Sequence, residues 1–168
     1  MSRERDDVDE ILAAWRRERP DLDVSPLEVL SRVSRLARRL DLARGSAFSE
    51  QGLEGWAFDV LSALRRAGDP YELSPGQLVQ QTLVTSGTMT NRVDRLERRG
   101  LVERRPDPGD RRGVHVRLTD TGREVVDRAM AELITQEKSM LSHLSTADQR
   151  LLAGLLRRML APLEARDA

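Results

Sequence analysis

Residues 75–119, PGQLVQQTLVTSGTMTNRVDRLERRGLVERRPDPGDRRGVHVRLT, constrain the fold more than any other part of the chain. Ser74, Pro75 and Gln77 take the N-cap, N1 and N3 positions of a short helix ending near Gln81, a spacing that satisfies the unpaired N–H groups of a helix start. Thr85 then caps a second helix, in which Met89, Val93 and Leu96 fall at i, i+4 and i+7 and so share one inward stripe. Gly100 ends that helix. Leu101 and Val102 begin a strand, Val114, Val116 and Leu118 alternate along a returning one, and the turn formers PDPGDRRG lie between, which reads as a β-hairpin with a charged tip. Two helices followed by a basic ribbon can put one helix into a major groove and straddle the phosphate backbone.

Opposite the inward stripe, the second helix carries Thr88, Asn91, Arg95 and Arg98, with Ser86, Gly87 and Thr90 near its N-terminal end. A solvated helix face is the bland reading. It predicts long charged side chains throughout, whereas small polar residues here let the backbone approach a duplex. Arg suits guanine, Asn suits adenine and Thr packs on a thymine methyl. At the hairpin tip, Arg111 and Arg112 suit the negative potential of a minor groove, with Asp110 or Asp107 able to hold an arginine by a charge-assisted hydrogen bond. The formal charge of zero conceals a net +4 over residues 86–117, nine Arg against five acids, and a net −4 over residues 1–28, five Arg against nine acids. Opposed patches of this kind are compatible with a local electrostatic footprint on DNA.

The remaining chain reads as helices. Val8, Ile11, Leu12 and Trp15 mark a short amphipathic helix over about residues 6–19, ended by Pro20. Ser25, Pro26 and Glu28 open another, expected to stop at Gly45, with GSAFSEQG as a loop. A third runs from about Glu54 to Ala67, with Trp56 among its apolar residues. Thr119 caps a long helix to about His143, and Ser145 with Asp148 opens the last. Leu151, Leu152, Leu155, Leu156, Met159, Leu160 and Leu163 give that last helix too wide an apolar face for one partner. The fold class is therefore mainly α with a small β-hairpin. The chain is expected to divide at 1–48, 49–119 and 120–168 within one compact domain.

With 168 residues and no cysteine, the chain needs no disulfide or metal to build a core. No apolar run approaches the roughly 20 residues that span a bilayer, and the acidic N-terminus lacks an apolar leader, so a cytoplasmic location is expected. Neither His115 nor His143 has a nearby Ser, Cys or carboxylate constellation of nucleophilic type. There is no phosphate-binding glycine loop and no metal-ligand spacing, so neither an enzyme nor a cofactor is expected. The acids Asp6, Asp7 and Asp9 suit the start of a helix better than a cation site.

The run from Leu83 to Glu124, with its DRRG (Asp110–Gly113) and LTxxG (Leu118–Gly122) elements, resembles the winged helix-turn-helix core of MarR-type transcriptional regulators, over residues 30 to about 163. The resemblance implies a homodimer whose interlocked dimerisation helices are residues 1–48 and 120–168 around a DNA-binding lobe at 49–119, and which binds pseudo-palindromic double-stranded DNA and usually represses. More narrowly, Trp15 in an extra N-terminal helix, Asp59 in FDVLSALRRAG, Arg92 in TNRVDRLE and Arg104 in LVERR match the Trp, Asp, Arg and Arg of the urate-responsive subgroup. There the tryptophan and first arginine hold a purine-like anion, the aspartate is repelled or hydrogen-bonded by it, and the second arginine relays to the recognition helix. A flat weak acid wants such an aromatic platform and guanidinium donors. The alternatives are a constitutive regulator, in which Trp15 anchors its helix and Asp59 pairs with Arg92 or Arg104 as a brace, and a helical protein-interaction module.

Overall fold

The computed structural model describes residues 5–107, 109 and 113–167, which divide after Ser46 into two units. In the first, α1 (Asp7–Glu18) is opened by a capping box in which Asp6 accepts from the backbone of Val8 and Asp9 while the Asp9 side chain returns to Asp6. The early acids thus cap the helix and suit its dipole. From α2 (Ser25–Ser49), Arg32 reaches Asp6 at 2.8 Å and Asp9 at 3.0 Å, and Arg35 reaches Asp7 at 2.7 Å. The Arg32 hydrogen bond is the main reason the Asp6 carboxyl titrates below its ordinary value. Val8, Leu12 and Val24 make a small buried cluster with Leu27 against it.

Helix α2 does not stop at Gly45 but continues to Ser49. A glycine inside a helix costs about 1 kcal/mol relative to alanine, and burial of Ala47 and Phe48 outweighs it. Phe48 is 4% exposed and stacks on Phe58 with ring centroids 4.2 Å apart. The expected loop therefore shrinks to the few residues before α3 (Gly55–Arg66).

The second unit packs α3, α4 (Pro75–Thr82), α5 (Ser86–Arg98) and α6 (Asp120–Met140) around a three-stranded sheet. Its core is one cluster that includes Leu61, Leu64, Leu78, Met89, Leu96, Val102, Val116 and Val126. The sheet order is β1-β3-β2, all antiparallel, with β2 (Val102–Pro106) and β3 (Val114–Leu118) forming the expected hairpin. Strand β1 (Glu72–Leu73) was not foreseen, because two residues are too short to show alternation. Its Leu73 faces Val116.

Ser74 and Gln77 form the capping box at α4, and Thr85 caps α5 through Thr88. Between them Leu83 closes α4 in the left-handed region, at φ 53°, with its side chain 92% exposed. That conformation costs a side-chain-bearing residue about 1–2 kcal/mol, and no packing offsets it here. Leu83→Gly should therefore stabilise the fold by about 0.5–1 kcal/mol, after allowance for the extra freedom of an unfolded glycine. A lower chemical-denaturation midpoint would contradict this.

Helix α6 ends at Met140 rather than near His143. The Gln149 amide donates to the Leu141 and Leu144 carbonyls, at 3.2 and 3.0 Å, and so satisfies the turn that replaces the last helical residues. Helix α7 (Thr146–Asp167) follows, opened by Ser145, whose Oγ accepts from the Asp148 backbone at 3.1 Å. None of the described side chains on α7 is buried. No helix among the described residues is long and apolar enough to cross a membrane.

Candidate nucleic-acid interface

Helix α5 sets the site because its two faces differ so sharply. Met89, Val93 and Leu96 are 0–2% exposed and fix its rotation. Ser86, Thr88, Thr90, Asn91, Arg95 and Arg98 consequently all face outward, as the spacing predicts. Thr90 donates to its own helix at the Ser86 carbonyl, 3.1 Å away, and Thr88 shares a 2.9 Å hydroxyl contact with Thr85. The N-terminal end therefore presents small, locally satisfied side chains around the exposed Asn91, leaving room for close backbone approach.

The longer cations are held by neighbours. The Arg95 guanidinium lies 4.5 Å from the Trp56 ring centroid and donates to Glu54 Oε1 at 2.5 Å. Arg92, half-buried, sits 5.7 Å from the same ring. Together with Thr88 and Asn91 these three residues line a shallow cavity of about 210 Å³. Arg99 joins Glu54 Oε2 at 3.2 Å and the Gly52 carbonyl at 2.7 Å. Sequence reasoning placed Trp56 among apolar helix residues and did not single out Glu54; their partners lie about 40 residues away along the chain, beyond any local spacing signal.

Arg104 of β2 turns onto α5 as well. Its guanidinium pairs with both Asp94 and Glu97, and its backbone N–H donates to Glu97 at 3.2 Å. The Asp94 hydrogen bond, followed by the charges of both acids, holds this guanidinium's pKa above its ordinary value. The acids that hold Arg104 are thus Asp94 and Glu97 of α5. Asp59 lies exposed on α3, and its backbone carbonyl accepts from Ser62 Oγ at 3.1 Å.

The hairpin extends past its strands through Asp107 N–H to the Gly113 carbonyl at 3.0 Å. Asp107 accepts from Gly109 N–H at 2.7 Å and approaches His115 Nε2 at 3.2 Å. Glu72 approaches the other His115 nitrogen at 3.4 Å. The imidazole therefore links β1 to the hairpin. Asp110, Arg111 and Arg112 lie outside the described residues.

A MarR family model matches residues 51–113, the segment that runs from α3 into the hairpin. Over 153 residues the chain is 40% identical to the HTH-type transcriptional regulator PecS of Dickeya dadantii, covering 91% of this chain and 92% of the relative. The chain belongs to the MarR family. Among solved structures of this family, a variant of Escherichia coli MarR complexed with operator DNA is 26% identical, with a TM-score of 0.68 over 83% of this chain and 99% of that one. Bordetella bronchiseptica BpsR, whose DNA binding is described as regulated by 6-hydroxynicotinic acid, is 30% identical, with a TM-score of 0.59 over 76% of this chain and 91% of that one.

As a MarR-family member the chain is a DNA-binding transcriptional regulator with a winged helix-turn-helix: α4 and α5 are the helix pair, β2 and β3 the wing. Of the four residues matched to the urate-responsive subgroup, Trp15 lies on α1 in the first unit, 46% exposed. The other three lie in the second unit with different neighbours: Arg92 at Trp56, Arg104 at Asp94 and Glu97, and Asp59 on the α3 surface.

Proposed function

We propose that the chain acts as a homodimeric repressor on a pseudo-palindromic operator and is released from it by a small planar anion or phenol of urate-like chemistry. The observation that carries the DNA reading is the outward face of α5, with Thr88, Asn91 and Arg95 exposed above a fully buried stripe. In this reading Ser86, Thr90 and Arg98 flank the base-reading residues, while Arg111 and Arg112 take the adjacent minor groove. A twofold axis would set two recognition helices about 34–36 Å apart, in successive major grooves. Support for the dimer comes from α7, where Leu151, Leu155, Met159, Leu160 and Leu163 are 40–62% exposed.

The effector is assigned to Trp15, Asp59, Arg92 and Arg104. BpsR is described as answering to 6-hydroxynicotinic acid, which shares with urate a flat heteroaromatic ring and an acidic group. Arg104 gives such an effector a route to DNA, since its two acidic partners both sit on α5. An effector that binds the DNA-incompetent arrangement more tightly shifts the population away from the operator. A second reading draws on the same contacts: Arg92 against Trp56 and Arg104 between two acids would brace a constitutive regulator.

Titration of urate and 6-hydroxynicotinate into the protein–duplex complex decides between them. Release is expected with the wild type, and Trp15→Ala should require at least about tenfold more ligand, the equivalent of one lost aromatic contact of about 1.4 kcal/mol. No release by either acid, or equal release from both proteins, would remove the effector assignment.

A further inference from the structure

Glu54 occupies the N-cap of α3 without capping it. Its backbone is extended, at φ −86° and ψ 155°, yet its side chain makes no hydrogen bond to the helix start, where Ser, Thr, Asp or Asn normally serves. The carboxylate turns to α5 instead, receiving Arg95 at 2.5 Å and Arg99 at 3.2 Å. Two residues on, Trp56 offers its indole to Arg95 at 4.5 Å and to Arg92 at 5.7 Å. Arg95 is therefore held on one side by a π face and on another by a carboxylate, although its side chain is half exposed.

We infer that Glu54 and Trp56 are positioning residues for Arg95, orienting its guanidinium fork for a base edge. The inference rests on α5 being the helix that reads DNA. A phosphate attracts an arginine from almost any direction, whereas bidentate contact with guanine requires the fork to arrive in one plane. A carboxylate beside the DNA-facing surface also repels phosphates and competes for the two arginines. Glu54 thus lowers affinity for any duplex while it sharpens preference, the exchange by which specific binders disfavour wrong partners.

Two duplexes of equal length test this: one selected by the wild-type protein from a randomised pool, and one with the same composition scrambled. Dissociation constants for both are measured across a salt series, and base preference is mapped position by position. Arg95→Ala identifies the position that Arg95 reads. Glu54→Gln should bind the scrambled duplex about 3- to 10-fold more tightly, through loss of one repulsive charge, and should lower the selected-to-scrambled ratio about tenfold, within the range of one bidentate contact. Its loss of preference should fall at the Arg95 position. Trp56→Leu should lose preference at that same position, and Trp56→Phe should keep most of it. Added to Arg95→Ala, Glu54→Gln should cause no further loss there.

A role confined to bracing α3 against α5 predicts a common change in both affinities with every base preference intact, and that outcome overturns the inference. If Arg95→Ala itself leaves all preferences unchanged, the base-reading assignment of Arg95 has failed. If Arg95→Ala erases one preference that both Glu54→Gln and Trp56→Leu retain, only the positioning role has failed. Should Trp56→Leu not fold, Glu54→Gln decides alone, because Glu54 is exposed and makes no cap.

Discussion

Gly122→Ala is expected to destabilise the protein by about 3 kcal/mol, the upper end of the usual cost of overpacking. A β-carbon at Gly122 would stand 1.9 Å from the Leu101 carbonyl oxygen and 2.9 Å from its carbon, with Leu118 Cδ2 at 3.2 Å. A flexible side chain could turn aside, but this backbone cannot. The Leu101 carbonyl accepts Thr119 N–H at 3.2 Å, Thr119 Oγ1 donates to the Gly100 carbonyl at 2.7 Å, and the same hydroxyl caps Gly122 N–H at 3.0 Å. Relief of the clash therefore loosens the joint between the end of α5, the wing and the start of α6. Gly45→Ala supplies the contrast. It also lies in a helix, meets nothing within 4 Å, and should stabilise by about 0.5–1 kcal/mol. Urea denaturation of both variants checks the opposite signs; a Gly122→Ala protein as stable as the wild type would show that the joint yields easily.

Leu155→Asp should leave the protein monomeric at micromolar concentration and reduce operator affinity by two to three orders of magnitude. The side chain is 46% exposed in the single chain and flanked by Leu151 at 62% and Met159 at 40%. Burial of one leucine contributes about 1.5–3 kcal/mol, and a twofold interface contains it twice. Replacement by a carboxylate then costs at least about 4 kcal/mol per dimer, or about a thousandfold in its dissociation constant. The operator effect follows because the second half-site is no longer bound at high effective concentration. Since α7 contributes no buried described side chain to its own chain, circular dichroism should show an intact monomer. Sedimentation velocity measures the association, and an unchanged dimer would place the interface elsewhere.

The parts of this fold governed by local rules were legible in the sequence. Thr85 and the Met89, Val93 and Leu96 stripe placed α5 and oriented both of its faces. Ser74 with Gln77 placed the start of α4, and Gly100, at φ 69°, marks the chain reversal just beyond α5. What escaped depended on partners distant in sequence. Gly45 reads as a stop until Phe48 is seen stacked on Phe58. Nothing local to Arg104 shows that Asp94 and Glu97 of α5 close on it. Glu54 carries no signal at all: a glutamate before a helix is unremarkable until its carboxylate is found between two arginines of another helix.

The place of β3 at the centre of the sheet has a mechanical consequence. Its outer neighbour β2 completes the wing, while its other neighbour β1 runs directly into the Ser74 cap of α4. Leu118 N–H also donates to the Tyr71 carbonyl at 3.1 Å. The wing cannot swing independently of the helix pair without breaking that ladder, so whatever contacts the two make with DNA are expected to engage and release together. The lobe behaves as a fixed caliper jaw, and inserting two or three base pairs between half-sites should weaken wing and helix contacts together.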